Sequence, residues 1–364
     1  MPTTPTLTLT DRLCALARET AAQRTRTGTA PESGPDRRPV RGPWEAAPAV
    51  LAERPDATVV AFGDIVVKAH PPASRTDAGE LTVRLCVAAH PRLGRIMLAP
   101  LTPRGVPARQ SLDAAPYVEG GRRVTLWPRG EPVDPEAPES APWEAAGTLL
   151  ARLHSVPVEA LSVQLPRPLP AMRGPAKAVR AMERMRAAVG RGPAGTDLAA
   201  AAGSIEAAWT TLPAWCRNEE PPPPSRAGTL CHGDFHLGQL VSEPGTGDWR
   251  LIDVDDLGLG DPAWDLARPA AWYAAGLLPS SSWSAFLGAY QTETGTASHD
   301  PWPHLDAPAR ALTVQTAATA IAKAQAAQRP LDGTETACVQ ACERIAVAAD
   351  PGQRAETGRR LDPQ

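Results

Sequence analysis

Two stretches of this chain set carboxylates beside an amide at spacings that suit phosphate chemistry. In Leu230 to Gln239 (LCHGDFHLGQ), Asp234 precedes Gln239 by five residues. In Trp249 to Ala267 (WRLIDVDDLGLGDPAWDLA), a short apolar run ends at Asp253, with Asp255 and Asp256 just behind and Asp261 and Asp265 beyond. Transferring a phosphoryl group takes few protein atoms, but they must be fixed. An acceptor hydroxyl has to be oriented and relieved of its proton, and magnesium has to meet the phosphate charge through oxygen ligands. A carboxylate on a tight loop, an amide oxygen nearby and a second carboxylate at a strand end supply those functions. Alone, an aspartate after a glycine reads as a turn residue; Asp234 gains its chemistry from the company of Gln239, Asp253 and the downstream aspartates.

The elements that must position these residues follow from the pattern upstream and around them. Thr58 to Phe62 and Ile65 to Ala69 are two β-branched runs joined by Gly63-Asp64, which predicts a hairpin with Lys68 on its second strand. A helix is expected from Arg75 to Ala89, carrying Glu80. Apolar or β-prone runs at Arg95 to Leu101, Ala115 to Val118 and Arg123 to Trp127 predict further strands, which together make a small α+β lobe. Beyond the proline-rich Pro128 to Pro142 the character becomes helical. Trp143 to His154 places Ala146, Leu149, Leu150 and Leu153 at amphipathic spacing, and more helix is expected at Pro175 to Val189 and Asp197 to Trp209. The organisation expected is an N-terminal arm at 1–45, mobile or loosely docked and holding at most a short helix from Asp11 to Gln23; a first lobe at 46–128; a second at 129–350; and a frayed tail at 351–364.

The combination HGD-x-x-x-x-(Asn), hydrophobic-Asp-x-(Asp/Glu) and D-x-x-x-DLA resembles the aminoglycoside phosphotransferase and choline kinase-like family. The form HGDFHLGQ is similar to its maltokinase and glucosamine kinase branch. The resemblance covers roughly residues 55 to 325. It implies an α+β, two-lobed protein-kinase-like fold with a small β-rich N-lobe and a mainly helical C-lobe, binding ATP as its magnesium complex. It places Asp234 as catalytic base and Gln239 and Asp253 as metal ligands, with Asp255 close enough to help a second ion. Lys68 resembles the lysine that contacts the α- and β-phosphates, and Glu80 its ion-pair partner. Backbone groups of Thr125, Leu126 and Trp127 stand where a hinge would bind adenine. Asp265 and His232 are read as supports of the loop. The chain departs from the pattern twice: Gln239 replaces the commoner Asn, adding a methylene to the ligand, and Gly63-Asp64 is no glycine-rich phosphate loop.

Composition limits the alternatives. The 364 residues suit two lobes, and a formal net charge of -3 offers no basic field for nucleic acid. No apolar run is long enough to span a membrane, and the N-terminus lacks a leader pattern, so a cytoplasmic protein is expected. The six cysteines are too sparse for a disulfide scaffold, and Cys338-x-x-x-Cys342 without a second pair is a poor zinc signal. His232-x-Asp234-x-His236 also spells a metal-hydrolase ligand set, but that reading explains neither Lys68 nor Asp253. A further alternative is a pseudokinase or nucleotide-binding subunit acting in a biosynthetic pathway, possibly on a peptide. The expected partner is a small molecule offering a hydroxyl: a sugar, amino sugar, aminoglycoside or amino alcohol. The carboxylates at Asp253, Asp255, Asp256 and Asp261 tilt that choice toward an amino-bearing acceptor.

Overall fold

The structure, a computed structural model, describes residues 7–27, 47–54, 57–72, 75–102, 116–162, 165–190 and 196–349. The expected tail at 351–364 and most of the Arg24 to Pro43 stretch lie outside these residues.

The chain makes two compact units, and it passes from one to the other three times. The first unit opens with α1 (Leu9–Thr27), β1 (Ala49–Glu53), β2 (Thr58–Phe62), β3 (Ile65–Ala69), α2 (Arg75–Ala89), β4 (Tyr117–Glu119), β5 (Arg122–Pro128), β6 (Glu131–Pro132), α3 (Trp143–His154) and α4 (Val158–Ser162). After Pro170 the second unit supplies α5 (Gly174–Val189), α6 (Thr196–Thr210) and β7 (Thr229–Cys231). The chain returns to the first unit for residues 237–257, which hold β8 (Leu240–Ser242) and β9 (Trp249–Leu251). It ends in the second with β10 (Gly258–Gly260), α7 (Ala263–Ala274), α8 (Ser280–Thr294), α9 (Trp302–Ala327) and α10 (Gly333–Ala349).

Five antiparallel strands in the order β1-β2-β3-β5-β4 form the sheet of the first unit. Gly63, at φ 57, lets a two-residue turn close β2 onto β3 with Phe62 opposite Ile65. Side chains alternate across the sheet, so Val60, Phe62, Ile65, Val67, Ala69, Val124 and Leu126 share one buried face. Leu13, Ala17 and Ala21, four residues apart on α1, cover that face. This corrects the expected loose arm: α1 is a 19-residue helix whose Leu13 and Ala17 are fully buried. An alanine-rich stripe with one leucine gives little apolar contrast in sequence, yet it lets helix and sheet approach closely.

The opposite face carries Lys68, opposite Thr125 in the ladder, with Trp127 two residues along opposite Val66. The unit boundary also differs from the expected break at residue 128, because β6 pairs with β8 and β8 with β9, which draws 237–257 into the first unit. The strand expected at Arg95 to Leu101 is present only as two bridges, Met97 to Leu251 and Leu101 to Leu126. In the second unit β7 and β10 form a two-stranded sheet, and the remainder is helical, with α9 packed against α5, α7 and α10. Among the described residues no helix is long and apolar enough to cross a membrane.

Candidate active site

The first unit builds a cluster around Lys68. Its ammonium lies 2.8 Å from Oδ2 of Asp253 and 2.9 Å from Oδ2 of Asp255. Burial pushes Lys68 toward the neutral form, but the two carboxylates outweigh it and hold its pKa above that of an ordinary lysine. The backbone around Asp253 is fixed from both sides: the Leu251 N–H donates to Ile96 at 2.8 Å, and the Ile252 N–H donates to the Gln239 carbonyl at 2.9 Å. Asp253 itself sits at φ 70, left-handed backbone that a non-glycine residue rarely adopts, and its Oδ1 accepts the Asp255 N–H at 3.0 Å. Gln239 closes a 3₁₀ turn (Leu237–Gln239) and is buried. Its side-chain amide has no hydrogen-bond partner among the described residues. With the Asp253 carboxylate it offers hard oxygens of the kind magnesium takes, so the residues fit that ion.

Asp255, expected beside a second ion, has both oxygens engaged. Oδ2 faces Lys68 at 2.9 Å, and Oδ1 lies 2.8 Å from Nδ1 of His70. Burial acts to raise the Asp255 carboxyl, but Lys68 and the His70 hydrogen bond hold it well below the usual carboxylate range. The expected Lys68–Glu80 pair is absent: Glu80 instead pairs with Arg84, one helical turn on, at 3.0 Å. Arg84 is almost fully buried and donates its Nε to the Leu257 carbonyl at 2.7 Å, so its guanidinium takes the glutamate that Lys68 was expected to use.

The Leu126 carbonyl already accepts the Leu101 N–H at 2.7 Å, and Thr125 and Trp127 lie in the β3–β5 ladder. Their side chains also interact: the Trp127 indole N–H donates to Thr125 Oγ1 at 2.9 Å, and that hydroxyl lies 2.9 Å from Nε2 of His70. Sequence reasoning passed over His70, although Lys68-x-His70 on a strand puts both on one face.

The second unit holds Asp234. Asp265, fully buried in the first turn of α7, accepts the N–H of His232 at 2.6 Å and of Gly233 at 2.8 Å, bearing out its reading as a support. Gly233, at φ 84, makes a turn that a side chain would strain. Phe235 is buried and stacks on Phe286 with ring centroids 5.9 Å apart. The loop is thus locked on both sides of Asp234. The carboxylate itself lies between two cations that sequence reasoning missed, Lys177 of α5 at 2.5 Å and Arg268 of α7 at 2.8 Å. Burial acts to raise the Asp234 carboxyl, but Lys177 and then Arg268 outweigh it and lower its pKa. Arg268 stands three residues after Asp265 on the same helix face, a spacing that could have revealed it; Lys177 left no signal in the sequence. His236 is lowered to about 4, first by burial and then by Arg268, so its imidazole is neutral at pH 7. Of the expected acidic group, Asp261 is paired with Arg226 at 2.9 Å.

The fold resembles solved phosphotransferases. A thermostable mutant of aminoglycoside phosphotransferase APH(4)-Ia, in its apo form, matches with TM-score 0.52 and 13% identity, covering 84% of this chain and 96% of that one. Spectinomycin phosphotransferase APH(9)-Ia, solved with ADP and spectinomycin, matches with TM-score 0.50 and 13% identity, covering 84% and 93%. At these identities the likeness establishes the fold, which is the expected kinase-like one, with an antiparallel sheet and a mainly helical remainder. No curated protein sequence matches this chain. A sequence model of the phosphotransferase enzyme family (APH) matches residues 57–307, well over half of the chain, and the chain belongs to that family.

Proposed function

We propose that this protein is an ATP-dependent phosphotransferase that moves the γ-phosphate to a hydroxyl of a small molecule, a sugar, amino sugar, aminoglycoside or amino alcohol. The observation that carries the reading is Asp234, kept ionised by Lys177 and Arg268 on a loop whose backbone is locked by Asp265.

Asp234 accepts a hydrogen bond from the acceptor hydroxyl, orients it and takes its proton as the oxygen bonds to the γ-phosphorus and ADP leaves. With a lowered pKa it is a weak base, so its contribution is chiefly orientation, with the proton transferred late. Lys68 steadies the phosphates once they compete for its ammonium. Gln239 and Asp253 would hold magnesium, which when bound neutralises phosphate charge. Most of the rate enhancement is then positioning and electrostatics.

Solved neighbours bind spectinomycin with ADP, and hygromycin B with AMP-PNP, which supports a polyhydroxylated acceptor and an adenine nucleotide. The acidic group that favoured an amino-bearing acceptor is largely spent inside the protein: Asp253 and Asp255 on Lys68, Asp261 on Arg226. The acceptor panel must therefore include neutral sugars. ADP release measured with maltose, glucosamine, aminoglycosides and amino alcohols, with and without magnesium, tests the reading. Magnesium-dependent release stimulated by at least one acceptor is expected; ATP binding with no turnover on any of them would favour a nucleotide-binding subunit.

A further inference from the structure

We propose that Asp255 is the residue that positions Lys68, in place of the helix glutamate, and that His70 holds Asp255 in that role and away from metal. The proposal deepens the kinase reading and rests on it.

Two carboxylates meet one ammonium at this cluster. Asp253 has the strained backbone and the strand-end position, and the Gln239 carbonyl takes the N–H of the residue before it, while the Gln239 side-chain amide has no hydrogen-bond partner among the described residues. A cation bound there draws the Asp253 carboxylate off Lys68. Something else must then keep the lysine in place, and Glu80 is committed to Arg84 at 3.0 Å. Asp255 remains, with Oδ2 2.9 Å from Nζ.

The second oxygen of Asp255 is tethered to the sheet. His70 Nδ1 donates to Oδ1 at 2.8 Å. Its Nε2 lies 2.9 Å from the Thr125 hydroxyl, which accepts the Trp127 indole N–H at 2.9 Å. With Nδ1–H given to Asp255, the ring is held at its other nitrogen by the Thr125 hydroxyl. The His70 main chain is fixed too: its N–H donates to the Arg123 carbonyl at 2.8 Å, and its carbonyl accepts Arg122 Nε at 2.6 Å. With His70 only 4% exposed, water cannot readily replace these bonds. A metal approaching Asp255 meets two side-chain partners, Lys68 and His70, whereas one approaching Asp253 meets a single side chain, Lys68, with the Asp255 main-chain N–H on the other oxygen.

The test uses the full chain. Nucleotide affinity is measured with AMP-PNP in the absence of divalent metal, and Mn²⁺ affinity of the nucleotide complex by electron paramagnetic resonance. Asp253→Asn should weaken Mn²⁺ binding about tenfold or more. Asp255→Asn and His70→Ala should leave Mn²⁺ affinity within about twofold while weakening metal-free nucleotide binding about tenfold, the scale of one lost charge-assisted hydrogen bond. The double variant should be no worse than Asp255→Asn alone, because both act through one contact. His70→Asn, whose amide takes the place of Nδ1, should recover part of the loss. It also serves as the second variant should His70→Ala fail to fold. Asp255→Asn lowering Mn²⁺ affinity as Asp253→Asn does would overturn the proposal, as would fully additive losses in the double variant; both leave the kinase reading intact. A wild-type protein that binds no nucleotide would remove both.

Discussion

The ammonium of Lys177 lies 2.5 Å from Oδ2 of Asp234, and this contact does most to keep the carboxyl ionised against the pull of burial. The sign of the pH dependence follows. A depressed carboxyl pKa means that the ionised form, and the stability it lends, is present at neutral pH and lost only as pH falls through the folded value, below the ordinary value of about 3.9. Lys177→Met leaves burial unopposed by its largest counterweight, so the acid limb of kcat/KM should move to higher pH. A limb that stays in place would show that Lys177 does not set the ionisation of Asp234.

His236 adds to the acid sensitivity in the same direction. Its pKa is lowered to about 4, so between about 6.5 and 4 the unfolded chain binds a proton that the folded chain refuses. Stability should therefore fall as pH drops through that window, by up to about 3 kcal/mol from this residue. His236→Gln should flatten the dependence in urea denaturation read at several pH values; an unchanged slope would assign the effect to other groups.

Leu13→Ala tests the docking of α1. Leu13 is fully buried against the sheet, and truncating such a leucine costs about 2–5 kcal/mol. A change under about 0.5 kcal/mol in denaturant unfolding would mean that the helix is peripheral.

Asp265→Ala removes the acceptor of two buried N–H groups, those of His232 and Gly233. Each orphaned donor costs about 1–3 kcal/mol, so the variant should lose roughly 2–6 kcal/mol of stability, with Asp265→Asn losing less because one amide oxygen remains. Equal losses for the two variants would contradict this.

Much of the framework was legible because it rests on local pattern. Gly63-Asp64 between β-branched runs gave the hairpin, the apolar spacing of Trp143 to His154 gave α3 to the residue, and Arg75 to Ala89 gave α2. Asp234, Gln239, Asp253 and Asp265 stood out because their types recur at short, fixed spacings. The partners that tune them did not stand out. Lys177 meets Asp234 across 57 residues and Asp255 meets His70 across 185, contacts made by packing that no spacing encodes. Glu80 misled for the same reason: position on a helix does not say which cation reaches it first, and the buried Arg84 one turn away does.

Asp234 serves phosphoryl transfer to a hydroxyl in the proposed function. Its most direct test follows the γ-phosphorus of radiolabelled ATP into an acceptor from the panel, comparing wild type with Asp234→Asn at matched nucleotide occupancy. Labelled acceptor is expected with wild type, and transfer slowed about 10³-fold in the variant with ATP affinity little changed. Equal transfer by both proteins, or none by a wild type that binds ATP, would contradict it.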